Sequence, residues 1–422
     1  MADECGDLTQ FQATVNILKS MIGLGLLNLP LAAKEIGWLP ACVGTPALAW
    51  LSAKGVLYAV EANKRLNSID QKDGPTETTG LIQDLEDSVT TLTLSSRFET
   101  GLGSFDGVVR VLFGLPGQAL CTFCILVCQS GTAIAYVAVI IPSILDISGR
   151  TVSDEEGSSP SWTLLLGLWL ALSVVSLLRS LREVAVISFI GLLTYLLVFA
   201  ALVVESVHRM GEGTFAQHFE MIRWDGPGPG WGNWFGISVF AFGAFPIAVA
   251  VNDDLEEGTD IYSAVRWSFG IAGLFCTVFA LVGYACYGDE TKRVIHFNFP
   301  EDSLLRKVSL IALVVVLVFT YVLQMNPVFK FSEGYLRQYI HIYYIRTIIV
   351  ALTIAIAVVL PHVVMAIQVA ESLSTATIGL IMPPVVYLAA CRFAHHQAHI
   401  LEYPLAVAVV GIGILGCWRS LI

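Results

Sequence analysis

Residues 18–30 read Leu-Lys-Ser-Met-Ile-Gly-Leu-Gly-Leu-Leu-Asn-Leu-Pro, inside an apolar segment long enough to cross a bilayer. This stretch contains two glycines one residue apart and a proline. In a helix interior, glycine is less favourable than alanine by roughly 1 kcal/mol and proline by about 3 kcal/mol. The sequence therefore predicts a helix that is interrupted partway across the membrane. Peptide groups freed by an interruption cannot face lipid, so we expect them to line a cavity or contact a ligand.

The composition is that of an integral, multi-pass membrane protein. Of the 422 residues, 55% are hydrophobic and 14% are charged, whereas soluble domains contain about 25% charged residues. The net charge of -11 comes mainly from loops, and no basic tract indicates a nucleic-acid partner. Cys121, Cys124 and Cys128 share a helical stripe, which we interpret as packing and not as a metal site, because structural zinc takes four ligands.

Eleven apolar runs approach the roughly 20 residues that a helix needs to cross a hydrocarbon core of about 30 Å. These predicted spans are 14–34, 40–62, 116–145, 162–178, 184–204, 231–251, 267–287, 308–325, 343–360, 364–393 and 404–418. Residues 1–13 are predicted to form a cytosolic tail, and the polar segment 64–110 a cytosolic loop within the transmembrane domain 14–422. The distribution of Lys and Arg modestly favours a cytosolic N-terminus. The composition fits a plasma membrane and a vacuolar or lysosomal membrane equally.

A second interruption is predicted in the sixth span, where residues 240–246 read Phe-Ala-Phe-Gly-Ala-Phe-Pro. Two interrupted spans five apart indicate a five-plus-five inverted repeat, with 14–204 as the first copy, 231–393 as the second and 404–418 as an eleventh helix. Paired interruptions of this kind mark the binding site of secondary transporters. The alternative is that each cluster is a kink for close packing, because glycine and proline are common in membrane helices.

Two interrupted helices near the midplane of the membrane suit a ligand that carries one positive and one negative charge. Half-helix N-termini present N–H groups to an anion, and C-termini present carbonyl groups to a cation. We therefore predict that an amino acid carboxylate lies on first-span amides and that its ammonium lies near sixth-span carbonyls. The predicted residues are Ile22, Gly23, Leu24 and Gly25 for the carboxylate and Phe240, Ala241, Phe242 and Gly243 for the ammonium. The rings of Phe240, Phe242 and Phe245 either shape a pocket for the substrate side chain or make lipid or core contacts.

Five motifs in order resemble the amino acid/auxin permease family. They are residues 18–37, the 240–246 stretch, Gly131 with Tyr136, Gly-Tyr-x-x-Tyr-Gly-Asp at 283–289, and Leu360-Pro361-His362 followed by Met382-Pro383-Pro384. The resemblance covers nearly the whole chain and implies an all-α membrane protein with eleven spans in the LeuT-type inverted-repeat fold. It also implies amino acid transport, and it places Tyr136 where the third-span tyrosine of this fold approaches the substrate carboxylate.

Within that family, the resemblance divides between branches. Lys19 with residues 22–27 and Pro30 is similar to the proton-coupled transporters. The sixth span of those transporters commonly has a glutamate where this chain has Gly243. The Phe245-Pro246 pair looks more like the sodium-coupled neutral amino acid and vacuolar branches, so the coupling ion and the substrate side chain stay open.

Ionisable residues inside a span are functional candidates because they are costly to place in hydrocarbon. Glu371 lies about ten residues beyond Pro361, roughly 15 Å deep at about 1.5 Å per residue, and we predict that it carries the coupling proton. The alternatives are a packed carboxyl group bonded to a neighbouring helix and a misplaced span boundary. Lys54 is predicted to face the protein interior or to snorkel inward. The acidic run 253–257 is predicted to cap a cytosolic loop, with an inner gate as the alternative.

Lys19 lies one turn before the first-span interruption. In LeuT-type sodium transporters, a cation site uses carbonyl groups of this region together with the eighth span, and the sodium-coupled branch has asparagine at this position. We therefore expect the Lys19 ammonium to take the place of the ion, the alternative being a side chain that snorkels to the cytosolic interface. Thr320 and Tyr321 are predicted to place eighth-span hydroxyl groups opposite the interruption.

Together these features predict a monomeric secondary active transporter of small neutral amino acids that works by alternating access. Proton coupling is favoured over sodium coupling, and no cofactor is expected. The sequence lacks a Walker A motif, which argues against a self-contained ATP-driven pump. The alternatives are a sodium-coupled symporter, an amino acid sensor with little flux and a membrane enzyme. The histidine cluster that an enzyme would use, His395, His396 and His399, is predicted to be solvated on a loop.

Overall fold

The structure is a computed structural model, and it describes residues 8–73, 103–149, 160–177, 181–215, 219–223, 229–256, 258–300, 303–359, 361–393 and 402–421. Helices account for most of these residues, and the described ranges contain one isolated β-bridge and no β-strand. The α-helices are α1 (Gln10–Met21), α2 (Leu24–Ile36), α3 (Trp38–Asp73), α4 (Gly103–Ile147), α5 (Trp162–Val175), α6 (Leu181–Gly211), α7 (Pro229–Ala241), α8 (Phe245–Asp253), α9 (Ile261–Tyr287), α10 (Leu304–Leu336), α11 (Ile342–Val359), α12 (Pro361–Ala376), α13 (Met382–Phe393) and α14 (Glu402–Leu421).

Each predicted span coincides with a helix or with a pair of helices. By length and hydropathy, seven helical segments of the described ranges are long and apolar enough to cross a membrane, or eight if α1 and α2 form one bent span. α5 and residues 402–418 of α14 are shorter apolar helices. The chain is therefore an all-α, multi-pass membrane protein as predicted, whereas the number of eleven spans stays a prediction.

Both predicted interruptions are present. Ile22 and Gly23 separate α1 from α2, and the two helices are bent by 48°. Residues 242–244 separate α7 from α8. Pro246 lies in the first turn of α8, where its missing N–H group removes no intrahelical hydrogen bond. The glycines and prolines of the two motifs therefore end and start helices, as the sequence predicts.

The helices α3 and α4 both extend into the polar segment 64–110. Residues 74–102 between them lie outside the described ranges. The predicted cytosolic loop is thus helical at both of its ends. This extension follows from the sequence, because neither end contains a proline that would stop a helix.

A kink at Gly114 separates the beginning of α4 from the third span. Gly114 has a φ of 68°, in the left-handed region that glycine enters without steric cost. The segment before it folds back, so that the buried Asp106 carboxylate accepts hydrogen bonds from Gln118 and Thr122 at 2.7 and 3.2 Å. These hydrogen bonds hold the start of the third span against the segment that precedes Gly114.

Helix packing brings the two interrupted spans together with three continuous ones. α2 packs against α7, and both α10 and α12 pack against α4. The breaks at 22–23 and 242–244 therefore face a wall formed by the third, eighth and tenth spans. This arrangement keeps the freed peptide groups inside the protein and away from lipid.

The second span lies close to the π-helical turn Thr377–Ile381, which joins α12 to α13. A Cβ atom added to Gly55 of α3 would lie 1.9 Å from the carbonyl oxygen of Gly379. A main-chain oxygen cannot swing aside as the end of a flexible side chain can. Glycine at position 55 therefore sets the distance between the second and tenth spans.

We expect the substitution Gly55→Ala to destabilise the protein by about 1–3 kcal/mol, the usual range for an overpacked core. The added methyl group overlaps the Gly379 oxygen, so one of the two helices must move. The midpoint of thermal unfolding in detergent measures this effect. Gly270→Ala on α9 is the matched control, because a Cβ atom there meets nothing within 4 Å. Equal midpoints for the two variants would contradict the close approach.

Candidate functional site

The break in the first span leaves two main-chain donors available. The N–H groups of Ile22 and Gly23 already donate to carbonyl groups of α1, each at 3.0 Å. Those of Leu24 and Gly25, in the first turn of α2, have no acceptor among the described residues. Of the four amides predicted to bind a carboxylate, the second pair is therefore free, at the positive end of the α2 dipole.

The break in the sixth span leaves main-chain acceptors available. Gly243 and Ala244 donate their N–H groups to the carbonyl oxygens of Phe240 and Phe242, at 3.2 and 2.8 Å. The carbonyl oxygens of Ala241 and Gly243 accept no hydrogen bond from the described part of the chain. They can accept one from an ammonium group.

The two breaks are held in contact by a small residue. A Cβ atom added to Gly25 would lie 2.5 Å from the Cα atom of Ala241. Only glycine lets α2 approach α7 this closely, so the free donors of one break and the free acceptors of the other lie on either side of the same gap.

A cavity of about 10 Å³ occupies this gap, which is room for about one water molecule. Seven of the thirteen predicted site residues line it, and they come from the first, third, sixth and tenth spans. The complete lining is Ser20, Met21, Gly23, Leu24, Gly25, Thr132, Tyr136, Phe240, Gly243, Gln324 and Glu371. The site is closed in this structure, and an amino acid enters only after neighbouring helices move apart.

Some predicted residues lie beside the cavity without lining it. Ile22 and Ala241 adjoin lining residues in sequence. The rings of Phe242 and Phe245 belong to the buried core, and Phe245 packs against Phe105 with ring centroids 5.1 Å apart. Of the three predicted rings, the Phe240 ring is thus the one that borders the cavity.

Polar side chains of the third and eighth spans complete the site. The Tyr136 hydroxyl group faces the first break, because a Cβ atom on Gly23 would lie 3.2 Å from it. Gln324 Oε1 is buried and has no hydrogen-bond partner within the described ranges. Gln324 and Thr132 line the cavity but were not among the residues predicted from the sequence. Gln324 is a polar residue one helical turn after Thr320 in an apolar run, a pattern that points to the interior of a membrane protein.

Glu371 borders the cavity from the tenth span. Its side chain is buried at 3% exposure, and the Thr132 hydroxyl group donates to Glu371 Oε1 at 3.1 Å. Gly131 makes room for it, since a Cβ atom there would lie 2.7 Å from the Glu371 Cβ atom. Among the described residues, no cationic side chain forms an ion pair with this carboxyl group.

Lys19 is buried next to the first break and does not snorkel. Its exposure is 2%, and its Nζ donates to the Ile22 carbonyl oxygen at 3.1 Å and to Thr320 Oγ1 at 2.9 Å. The ammonium also lies 5.0 Å from the centroid of the Tyr195 ring. A Cβ atom on Gly191 would lie 2.4 Å from Lys19 Cε, so α6 accepts this side chain only with glycine there.

The hydroxyl groups of the eighth span serve different partners. Thr320 contacts Lys19 and also donates to the Val316 carbonyl oxygen at 2.7 Å. The Tyr321 hydroxyl group pairs with Thr353 of α11 at 2.8 Å. Thr320 thus lies near the break but outside the cavity, and Tyr321 faces the ninth span.

The start of the first span is bonded to the chain that follows the sixth span. Leu8 is buried, its N–H group donates to the Asp254 carbonyl oxygen at 3.0 Å, and its carbonyl oxygen accepts from Glu256 N at 3.1 Å. Gln10 exchanges two further hydrogen bonds with the main chain of Asp260, both 3.1 Å long. The acidic run predicted to cap a loop therefore contacts the start of α1 through main-chain atoms. His395, His396 and His399 lie outside the described residues.

Sequence comparisons match this chain to transporters. The family model described as "Transmembrane amino acid transporter protein" matches residues 6–422. Amino acid transporter AVT3C of Arabidopsis thaliana is 20% identical, over 98% of this chain and 90% of its own length. Amino acid transporter ANT1 of the same plant is 24% identical, over 79% of this chain and 69% of its own length.

Two solved structures share the fold. MhsT, solved in complex with L-phenylalanine, has a TM-score of 0.59 at 12% identity, covering 99% of this chain and 98% of that chain. A manganese transporter of Eremococcus coleocola has a TM-score of 0.51 at 10% identity, covering 100% of this chain and 91% of that chain. At these identities the comparison shows the fold alone, and it confirms the expected LeuT-type fold.

The matched relatives are named as transporters and not as enzymes, in agreement with the expectation that this chain is not an enzyme. The match to the family model extends over nearly the whole sequence and includes both interrupted spans. The chain belongs to the transmembrane amino acid transporter family, which is the amino acid/auxin permease family that its motifs resemble.

Proposed function

We propose that this member of the family is a proton-coupled symporter of small neutral amino acids. The observation that carries the proposal is that Glu371, buried without a cationic partner among the described residues, lines the same cavity as the free amides of α2. The relatives named amino acid transporters support the substrate class. The chemistry of the site supports the coupling of transport to a proton.

The cavity offers complementary groups to a zwitterion. The free N–H groups of Leu24 and Gly25 suit a carboxylate, since a helix N-terminus stabilises an anion. The Gly243 carbonyl oxygen and Gln324 Oε1 suit an ammonium group, because both are acceptors without a donor in the described chain. The substrate therefore satisfies main-chain groups that would otherwise be buried unpaired.

The residues around the cavity favour a substrate with a small side chain. A Cβ atom on Gly243 would lie 2.8 Å from Thr375 Cγ2, and the rings of Tyr136 and Phe240 border the remaining space. Among the described residues, no cationic side chain lines the cavity to pair with an acidic substrate. A neutral, short side chain fits this environment best.

Glu371 couples the proton through the cost of burying its charge. An ionised carboxyl group that is enclosed without a cation costs several kcal/mol. A substrate displaces the water that solvates the Glu371 carboxylate, so the loaded cavity closes readily only after Glu371 has taken up a proton, and the proton leaves when the site opens to the other side. The empty cavity closes with water on Glu371 and on the α2 amides, so substrate and proton cross together and the site returns without either.

Lys19 takes the place of a sodium ion in this proposal. Its ammonium lies on a main-chain carbonyl oxygen beside the break and on a hydroxyl oxygen of the eighth span. These are the kinds of oxygen ligand that a hard cation uses. A second cation in the same position would be repelled by the fixed positive charge.

Uptake by the purified protein in proteoliposomes tests the function. We expect labelled glycine, alanine, serine or proline to accumulate under an inward proton gradient and not under a sodium gradient alone. Accumulation that follows only the sodium gradient would overturn the coupling. Amino acid binding without flux under any gradient would instead identify a sensor.

The variant Glu371→Gln should lose accumulation driven by a proton gradient while it retains exchange of labelled for unlabelled substrate. The glutamine amide oxygen still accepts the hydrogen bond from Thr132, but the amide cannot release a proton. Exchange of labelled for unlabelled substrate does not require proton release. The measurement compares gradient-driven uptake with counterflow in the same vesicles. Thr132→Val is the control, because it removes the hydrogen bond and keeps the titratable group. Gradient-driven uptake at the wild-type level in Glu371→Gln would refute the assignment.

The variant Lys19→Asn should transport roughly tenfold more slowly, because a hydrogen bond from a charged group contributes about 1.5–3 kcal/mol. It should also become sensitive to sodium, since the space between the Ile22 carbonyl oxygen and Thr320 Oγ1 is vacated. Uptake and melting midpoint in sodium chloride and in choline chloride measure this sensitivity. The double variant Lys19→Asn/Thr320→Val, which lacks the hydroxyl ligand, should lose it again. Identical behaviour of Lys19→Asn in both salts would mean that Lys19 does not replace an ion.

A further inference from the structure

A second cavity, of about 340 Å³, lies away from the substrate site. Its lining residues are Lys54, Leu57, Tyr58, Glu61, Arg65, Tyr262, Arg266, Tyr387 and Glu402. They come from α3, α9, α13 and α14. Tyr262 and Arg266 follow Asp260, which bonds to Gln10, so the cavity lies on the same side of the membrane as the start of α1. With the N-terminus inside, this is the cytosolic side.

The carboxylates of this cavity are already engaged. Glu61 accepts hydrogen bonds from Arg65 Nε at 3.0 Å and from the Tyr262 hydroxyl group at 2.7 Å. Glu402 accepts from the Tyr58 hydroxyl group at 2.6 Å. These bonds hold the acidic groups in place within the protein.

Two of the three lining cations are not engaged in this way. Lys54 and Arg266 form no hydrogen bond or ion pair with any described residue. The Lys54 ammonium lies 5.9 Å from the centroid of the Trp50 ring. The cavity therefore presents two uncommitted positive charges, one of them a lysine placed well inside the second span.

Two cations on neighbouring helices suit a phosphate group. A phosphate oxygen accepts charge-assisted hydrogen bonds from an ammonium and from a guanidinium group at once. The volume is within the usual range of ligand sites, about 300–1,000 Å³. Basic pockets between membrane helices on the cytosolic side are suited to anionic lipid head groups, which that leaflet supplies.

The neighbours of the lining residues favour a lipid over a soluble phosphate. Trp267 follows Arg266 at the start of the predicted seventh span, and Tyr403 follows Glu402 just before the predicted eleventh. Both aromatic side chains are exposed, by 65% and 49%. Tryptophan and tyrosine are enriched where membrane proteins meet lipid head groups. Aromatic side chains of the kind found at the level of the lipid head groups thus flank the charged cavity.

We propose that this cavity binds the phosphate of an anionic glycerophospholipid from the cytosolic leaflet, with Lys54 and Arg266 as its two ligands. The lipid connects the second and seventh spans, which supply the cations, with the tenth and eleventh spans, which supply the remaining wall. The site explains a lysine within the second span that the substrate site does not use.

Native mass spectrometry of the purified full chain tests the site, with phosphatidic acid and phosphatidylcholine of equal acyl chains as the lipids. The double variant Lys54→Gln/Arg266→Gln should bind phosphatidic acid roughly thirtyfold more weakly, about fivefold for each cation removed near a membrane surface. Binding of phosphatidylcholine should not change. Lys330→Gln/Arg337→Gln is the matched control, since it removes the same charge from the same side of the membrane outside this cavity and should bind both lipids as the wild type does.

A gain of binding tests the same site in a way that misfolding cannot imitate. Glu402→Gln keeps the acceptor for Tyr58 and removes one negative charge from the wall, so it should bind phosphatidic acid about fivefold more tightly. Equal loss of binding in the two double variants, or no gain in Glu402→Gln, would overturn the site. Displacement of phosphatidic acid by millimolar inorganic phosphate would overturn its assignment to a lipid and assign the cavity to a soluble phosphate compound.

Discussion

A peptide group without a hydrogen-bond partner is expensive in hydrocarbon, and the architecture of this protein follows from that cost. The first and sixth spans each break near their middle and leave donors on one side and acceptors on the other. Gly25 brings α2 against Ala241 of α7, so the two breaks share one enclosure. The third, eighth and tenth spans complete the wall. The glycines that create the unpaired groups therefore also allow the packing that hides them.

Two buried ionisable side chains, Lys19 and Glu371, lie at this enclosure and differ in their hydrogen-bond partners. The Lys19 side chain has two fixed acceptors, on the first and eighth spans, which hold its nitrogen in one position. Within the described ranges the Glu371 carboxyl group accepts a side-chain hydrogen bond from Thr132 alone, and the proposed coupling has this group change its charge. In the proposed mechanism Lys19 keeps its place beside the first break while the proton content of Glu371 alternates. This division of roles underlies the proposed coupling.

The sequence indicated the broken spans correctly because their cause is local. Glycine and proline disrupt a helix wherever they occur, so 22–25 and 243–246 could be read without the fold. The burial of Glu371 and the contact of Lys19 with the eighth span were also predicted, from depth and from family resemblance. By contrast, the sequence did not predict which side chains of each helix point into the cavity. Gln324 and Thr132 line the cavity, whereas Phe242 and Phe245 pack in the core, because helix rotation depends on neighbours distant in sequence. The local turn that engages the Ile22 and Gly23 amides likewise depends on main-chain angles that residue type alone does not determine.

The hydrogen bonds at the start of the first span have an energetic consequence. Leu8 and Gln10 fasten the start of the first span to the chain that follows the sixth, through four hydrogen bonds. Each such bond contributes a net 0.5–1.5 kcal/mol, so the fastening as a whole amounts to about 2–6 kcal/mol. At this cost a form in which these bonds are exchanged for water is a minor population that thermal motion still reaches. In the predicted orientation, with the N-terminus in the cytosol, the strength of these four bonds sets how often the proposed site opens inward.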